Sequence, residues 1–497
     1  MRTLLRGDWV VGYREPTHTL IRNGVVVYEG DTILHVGASF EGRVDREIDA
    51  PGGLVIPGFI DTHVHCGHRS PGRLIADSGR PDYFGQPFLE YTVTREGTVM
   101  AGDPRYQTPA AGSAAQLGEF TDYTVAELLR NGITTFVEFG ARVHVQEALA
   151  KGIEKFGVRA YLGAGYSGGR WVGGERGRLR WVVDHTAAER LFREAVDFAR
   201  RIDGTVGGRA RAILVPSGVD TASTEQLRKT AQLAREMSFP VATHGAYSLW
   251  EFYDVVREQL MTPIEYLESL GLLDLGAMLN IGHANFVAEH PRLAYSGGND
   301  IGLIGRHGCS ISHCSVNLAR RARYLHHWSR YREAGVNLTL GSDTYPRDMI
   351  MQMRTASYFG KVMSGDLKAA SAPEVFEAAT LGGARSLGRN DLGRLAPGAK
   401  ADIVIVDLSG RDTLRYGPVR DPIRSLVECG IGDDVDTVIV GGRVCLQRRT
   451  IPGFDLATMR RSAQAAGDYI WQHWAEWDPQ SRDAETVNPW SYPLQSD

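Results

Sequence analysis

The sequence predicts an α/β fold: a parallel (β/α)8 barrel beside a smaller sheet domain assembled from both chain ends. Three observations carry this. From about residue 54 to residue 392, strand-like apolar runs alternate with helix-like segments, the pattern of a parallel α/β architecture. Eight such runs are present, the strand number of a closed barrel. Short β-rich segments flank this middle on both sides.

Residues 1–53 read as short strands separated by turns, with a hairpin signal where Val25-Val26-Val27-Tyr28 meets Glu29-Gly30-Asp31 and then Thr32-Ile33-Leu34-His35-Val36. The apolar run Leu54-Val55-Ile56, then Pro57-Gly58 and Phe59-Ile60, leads into Asp61-Thr62-His63-Val64-His65, the first barrel strand. The remaining seven are predicted at residues 133–139, 158–163, 212–215, 240–243, 277–281, 309–312 and 336–340, with helices at 187–202, 224–237 and 371–387 among those between and after them. β texture returns at 401–407 and 437–444. Two stretches break the rhythm. Residues 67–120, rich in Gly, Pro, Asp and Tyr, read as a long connection over the site mouth. Residues 166–180 carry five glycines and four arginines but neither GxGxxG nor a Walker pattern, so they read as a mobile barrel-rim loop. A tail helix at 456–474, with Trp471, Trp474 and Trp477 on or just beyond it, reads as a docking or oligomer contact. The expected divisions are 1–56, 57–392, 393–450 and 451–497.

Composition narrows the class. At 497 residues, 43% hydrophobic and 23% charged, the chain has ordinary globular chemistry. A net charge of -4 offers no electrostatic case for nucleic acid or an anionic membrane surface. The five cysteines contain no Cys-x-x-Cys and read as reduced thiols, and no signal peptide or membrane-length apolar run is visible. The expectation is a cytoplasmic protein.

Side chains alternate along a strand, so His63 and His65 share a face, with Val64 opposite. Barrel enzymes draw their chemistry from strand C-termini. Here those ends carry His244, His283, His313 and Asp343. One histidine at a strand end is ordinary; metal-type ligands at the ends of five predicted strands point to a metal site.

The segments PGFIDTHVH, ATHGAY, NIGHANF, SHCSVN and AGVNLTLGSD, with GRLAPGAKADI from Gly393, resemble the metal-dependent amidohydrolase superfamily, nearest its cytosine deaminase and triazine chlorohydrolase branch. The resemblance implies a distorted barrel and a composite β-sandwich. It assigns the metal to His63, His65, His244 and Asp343, and makes Asp343, His283 and Tyr247 the reacting groups. His313 would stand behind the ligands, and Glu138, at the end of the second strand, reads as an outer partner, an unexpected ligand or simply a polar strand end. No lysine follows 213–217 to bridge a second metal. One departure stands out. Tyr247 lies where the deaminases and chlorohydrolases usually carry a glutamate that shuttles a proton, and Glu251 could replace it only if the loop folds back.

The implied activity is a metal-dependent amidohydrolase acting on carbon–nitrogen bonds other than peptide bonds. It would cleave an amide, urea or amidine of a small aromatic or heterocyclic substrate by attack of a metal-bound hydroxide, with Tyr247 polarising the carbonyl. The alternatives are deamination or dechlorination of a purine, pyrimidine or triazine ring, and an inactive homologue kept for binding. The expected cofactor is one divalent ion, zinc first, with iron, manganese or cobalt also suited. The expected partners are a small-molecule substrate and further copies of the chain in a dimer or larger homo-oligomer, with neither nucleic acid nor membrane.

Overall fold

The computed structural model describes residues 1–66, 94–95, 114–173, 179–409, 414–473, 475 and 481–495. Both chain ends build one seven-stranded sheet. From edge to edge its order is Arg443–Leu446, Val435–Val440, Ile403–Asp407, Arg46–Pro57, Arg2–Arg14, Thr17–Glu29 and Thr32–Gly37. The predicted hairpin is there, turning at Gly30-Asp31. The expectation of short N-terminal strands is corrected: Arg2–Arg14 and Thr17–Glu29 each run 13 residues and pair along nearly their full length. Gly7, inside the first of these strands, serves close packing. A Cβ there would lie 2.6 Å from Val55, and the register shift between Gly7 and Trp9 absorbs the bend.

The run Leu54-Val55-Ile56 is fully buried because it pairs with Ile403–Asp407 on one side and Arg2–Arg14 on the other. Gly58 then passes the chain from one sheet to the next. Its amide donates to Asp402 O at 3.0 Å, and that of Phe59 to Gly132 O at 3.0 Å.

Eight parallel strands follow in two sets of four. Phe59–Val64, Ile133–Glu138, Arg159–Leu162 and Ala210–Ala212 form the first, and Val241–Gly245, Leu279–His283, Ser310–His313 and Asn337–Leu340 the second. Backbone bridges join the sets on both sides. Val64 pairs with Asp343, with His65 N and Asp343 N each donating across at 2.7 Å, and Leu214 pairs with Val241. Within, the Thr62 hydroxyl meets Ser312 Oγ and Thr339 Oγ1, both at 2.7 Å, tying three strands together through a buried polar layer.

The helices at His185–Ile202 and Thr224–Met237 begin where Asp184 and Ser223 cap them. The predicted helix at 371–387 is present, with a π turn at Ala378–Gly382 where Gly382 packs under Leu338 O. The rim-loop expectation for residues 166–180 is corrected. Gly169–Gly173 and Leu179–Val183 pair as an antiparallel hairpin, and Tyr166 is buried with its hydroxyl on Thr230. The strand formers Trp171-Val172 and Trp181-Val182-Val183 were hidden among glycines. The tail helix spans Leu456–Gln472 and packs on the helix Ala114–Arg130. Trp474, Trp477 and most of residues 67–120 lie outside the described residues. No described helix is long and apolar enough to cross a membrane.

Candidate metal centre

His63 and His65 leave the first parallel strand on one face, as alternation requires, with ring centroids 5.2 Å apart. His244 comes from the end of Val241–Gly245 and His283 from the end of Leu279–His283, their centroids 5.0 and 4.8 Å from that of His63. Asp343 follows Asn337–Leu340 and closes the group, 3.6 Å from His65 Nε2 and 3.7 Å from His283 Nε2. Donor atoms of His63, His65 and His244 lie within 4.8 Å of one another, as do those of His63, His283 and Asp343. His283 and Asp343 hold φ of 73° and 61°, left-handed backbone that non-glycine residues adopt at a cost of order 1–3 kcal/mol. That strain sits where the two side chains must turn inward.

The imidazoles are neutral. Burial pushes His244 down to about 3 and His283 to about 4, and carries His63 well below its ordinary value. Burial alone would raise Asp343, but the neighbouring His283, His65 and Arg321 outweigh it and keep the carboxyl below its usual range. Neutral imidazoles beside an ionised carboxylate are the protonation states a divalent cation requires. His63 supplies the sharpest test of fit. Both of its ring nitrogens are buried without a hydrogen-bond partner among the described residues, a cost that a bound cation at one of them would relieve in part. His244 donates from Nδ1 to Ser217 O at 2.6 Å, which fixes the tautomer whose Nε2 carries the lone pair a cation needs.

Several supports were not singled out in sequence. Asp61 accepts from His63 N at 3.1 Å and Ser342 Oγ at 2.5 Å, fixing both ends of the site to each other. Asn317 donates to Asp343 Oδ2. Arg347, buried, donates to Glu127 at 2.9 Å and to His65 O at 3.1 Å. Asp61, Ser342 and Asn317 lie inside the motifs quoted from the sequence, whereas Arg347 and Glu127 carried no such signal.

The remaining predicted residues take different positions. Glu138 is wholly buried; its carboxylate accepts from Ala141 N at 3.0 Å and from Gln146, and burial pushes it up to about 7. It braces the turn after its strand and is not among the clustered donors. His313 is also outside the clustered donors, with its ring 6.1 Å from that of Trp328. Tyr247 is buried with its ring 6.1 Å from that of His244, and its hydroxyl donates to Asp220 Oδ2 at 3.0 Å. The loop does fold back: Glu251 is fully buried and accepts from Ala246 N at 2.8 Å and Tyr247 N at 2.7 Å.

Residues 54–445 match the Amidohydrolase family. The chain belongs to the amidohydrolase family. It is accordingly a hydrolase of carbon–nitrogen bonds, in a family whose metal dependence this cluster fits. A 5-methylthioadenosine/S-adenosylhomocysteine deaminase of Natronomonas pharaonis is 31% identical over 450 residues, 89% of this chain and 93% of that protein. A 5'-deoxyadenosine deaminase of Methanothermobacter thermautotrophicus is 29% identical over 454 residues, 90% of this chain and 94% of that one. Among solved structures, a zinc-bound adenosine deaminase from Xanthomonas campestris superposes with a TM-score of 0.75 at 22% identity, covering 94% of this chain and 98% of that one. A zinc complex of atrazine chlorohydrolase from Arthrobacter aurescens gives 0.76 at 22% identity, covering 94% and 100%. These two show the amidohydrolase fold.

Proposed function

We propose that this amidohydrolase is a metal-dependent deaminase of an amino-purine, of the nucleoside kind named for its relatives. The observation that carries the reading is the cluster of four neutral imidazoles and one ionised carboxylate around His63, whose ring nitrogens have no hydrogen-bond partner among the described residues. His63, His65, His244 and Asp343 would hold one divalent ion, zinc being suggested by the solved relatives. When bound, such an ion is a Lewis acid that brings the pKa of a ligated water toward ~7. The bridges joining the two parallel sheets support a closed, distorted barrel of residues 57–392. Beside it we place a β-sandwich from 1–56 and 393–450, and a helical tail from 451.

The chain's own groups would divide the proton work. Asp343, ionised and held by Asn317, would take the proton of the attacking water. His283, neutral and 3.7 Å from Asp343, would orient that water and donate to the oxygen that develops charge. Tyr247 is a donor, since burial carries its phenol well above its ordinary value.

The test is ammonia release by metal-analysed enzyme from adenosine, 5'-deoxyadenosine, 5-methylthioadenosine and S-adenosylhomocysteine. Turnover of at least one, lost on chelation and restored by zinc, is the expected result. No ammonia from any of them would overturn the reading. Tyr247 favours a second one, hydrolysis of an amide, urea or amidine, because a phenol that holds its proton polarises a carbonyl better than it shuttles a proton alone. Amine release from such substrates would select it, and chloride release from a chlorotriazine would select dechlorination.

A further inference from the structure

We propose that Asp220 is a positioning residue behind Tyr247, and that the two form a proton relay between solvent and the substrate nitrogen. The inference rests on the deaminase reading above and supplies what Tyr247 lacks within it.

The geometry begins with the segment after Val215–Pro216. Ser217 O accepts from His244 Nδ1 at 2.6 Å, Gly218 bridges to His244, and Val219 N donates to His244 O at 3.0 Å. The segment is thus pinned to the very strand end that carries a proposed ligand. Two residues beyond the bridge, Asp220 Oδ2 accepts the Tyr247 hydroxyl at 3.0 Å. Its other oxygen, Oδ1, is buried and has no hydrogen-bond partner among the described residues. A buried carboxylate oxygen left so is costly when ionised, which favours the protonated acid.

Glu251 cannot take this part. Its two oxygens accept the amides of Ala246 and Tyr247, so it fixes the Tyr247 backbone, while the Tyr247 hydroxyl bonds to Asp220 instead. The groups facing Asp220 are the Tyr247 hydroxyl and, on the helix Leu249–Gln259, the carboxylates of Glu251 and Asp254. Arg323 reaches the same loop through Tyr247 O at 3.4 Å. Burial, opposed by the Tyr247 hydrogen bond and reinforced by Asp254, pushes Asp220 up to about 7, so it exchanges a proton near neutrality.

The relay balances without a further reagent. With Asp220 protonated on Oδ2 the 3.0 Å bond runs the other way, Asp220 donating to the Tyr247 oxygen and the phenol O–H turned toward the substrate. The Asp220 Oδ2–H bond then breaks as an O–H forms on Tyr247, and Tyr247's own O–H breaks as an N–H forms on the substrate. Tyrosine ends unchanged, Asp220 ends as carboxylate, and water returns its proton between turnovers. Activity is therefore carried by protonated Asp220 and falls as pH rises through about 7.

The experiment is kcat and KM for ammonia release across about pH 5–9, for wild type, D220N, D220E, Y247F and D220N/Y247F. Metal content and Tm are measured on each. The expected result is a ~10²–10³-fold lower kcat for D220N and Y247F, KM within a few-fold, and loss of the limb near neutrality. D220E should recover part of the rate, and the double variant should be no worse than either single one. The relay is overturned if D220N keeps wild-type kcat and its pH limb, if the single losses multiply, or if the lost rate merely tracks lost metal or Tm. Failure of wild type to deaminate any amino-purine would instead count against the functional reading. The same variants assayed on whatever amide or urea it does cleave would then decide the relay on that leaving amine.

Discussion

Gly282 and Phe139 both crowd His63, and replacing Gly282 with alanine should weaken the proposed metal site without removing any of its proposed ligands. Gly282 lies on the strand Leu279–His283, paired opposite His244. A Cβ there would stand 2.8 Å from His63 Cε1 and 2.9 Å from Nδ1. Ordinary carbon contacts need ~3.5 Å, so the ring must give way by about 0.7 Å. Phe139, stacked on the ring with centroids 3.8 Å apart, would itself lie 3.2 Å from the new Cβ, so the two rings are crowded together and must shift as a pair. Metal–ligand distances tolerate only about ±0.2 Å, so the displacement exceeds the tolerance several-fold. Metal affinity should fall ~10–100-fold, and overpacking should cost the fold about 1–3 kcal/mol. Competition with chelators of graded strength measures the first, and thermal unfolding of the metal-free forms the second. Stoichiometric metal at wild-type affinity in G282A would refute the reasoning. G118A, where an added Cβ meets nothing within 4 Å among the described residues, is the matched control.

D343A should abolish turnover; near-normal kcat with metal bound would remove Asp343 from the proposed mechanism. R347M leaves Glu127 without its buried partner and His65 O without its donor, so thermal or denaturant unfolding should show a loss of roughly 3 kcal/mol. An unchanged midpoint would contradict that. Asp300, fully buried and bonded to Thr262 and Ala288 N, is pushed up to about 7 mainly by burial. The unfolded carboxyl ionises first as pH rises from about 4 to 7, so the folded state loses up to ~4 kcal/mol across that window. D300N should flatten this slope in denaturant midpoints at pH 5 and 8; an unaltered slope would exclude Asp300 as its source.

The parts of the site legible in sequence were those governed by period. Alternation put His63 and His65 on one face, and apolar runs marked the strand ends that deliver His244, His283 and Asp343. What stayed hidden depends on how loops turn. Asp220 follows Ser217-Gly218-Val219 with no periodic neighbour, and only the bridge from Gly218 to His244 brings it to Tyr247. Glu251 folds back because Ser248 caps the helix at Leu249, a start that the sequence reading did not mark. Arg347 is 1% exposed, against the ordinary tendency of arginine, because Glu127 and a carbonyl receive its charge together. In the outer sheet, glycines that serve close packing looked like turns, so 13-residue strands read as short ones.

The bridge between Val64 and Asp343 also sets a schedule for synthesis. Asp343 follows His63 by 280 residues, so at ~5–20 residues per second the ribosome delivers the last ligand some 15–60 s after the first. Through that interval the early strands wait with an open edge, exposed to mispairing. The outer sheet waits longer still, since Arg46–Pro57 must be joined by Ile403–Asp407. Capture of an ion by the complete proposed ligand set would thus come late, and would report that the first and last barrel strands have met, ahead of the closure of the outer sheet.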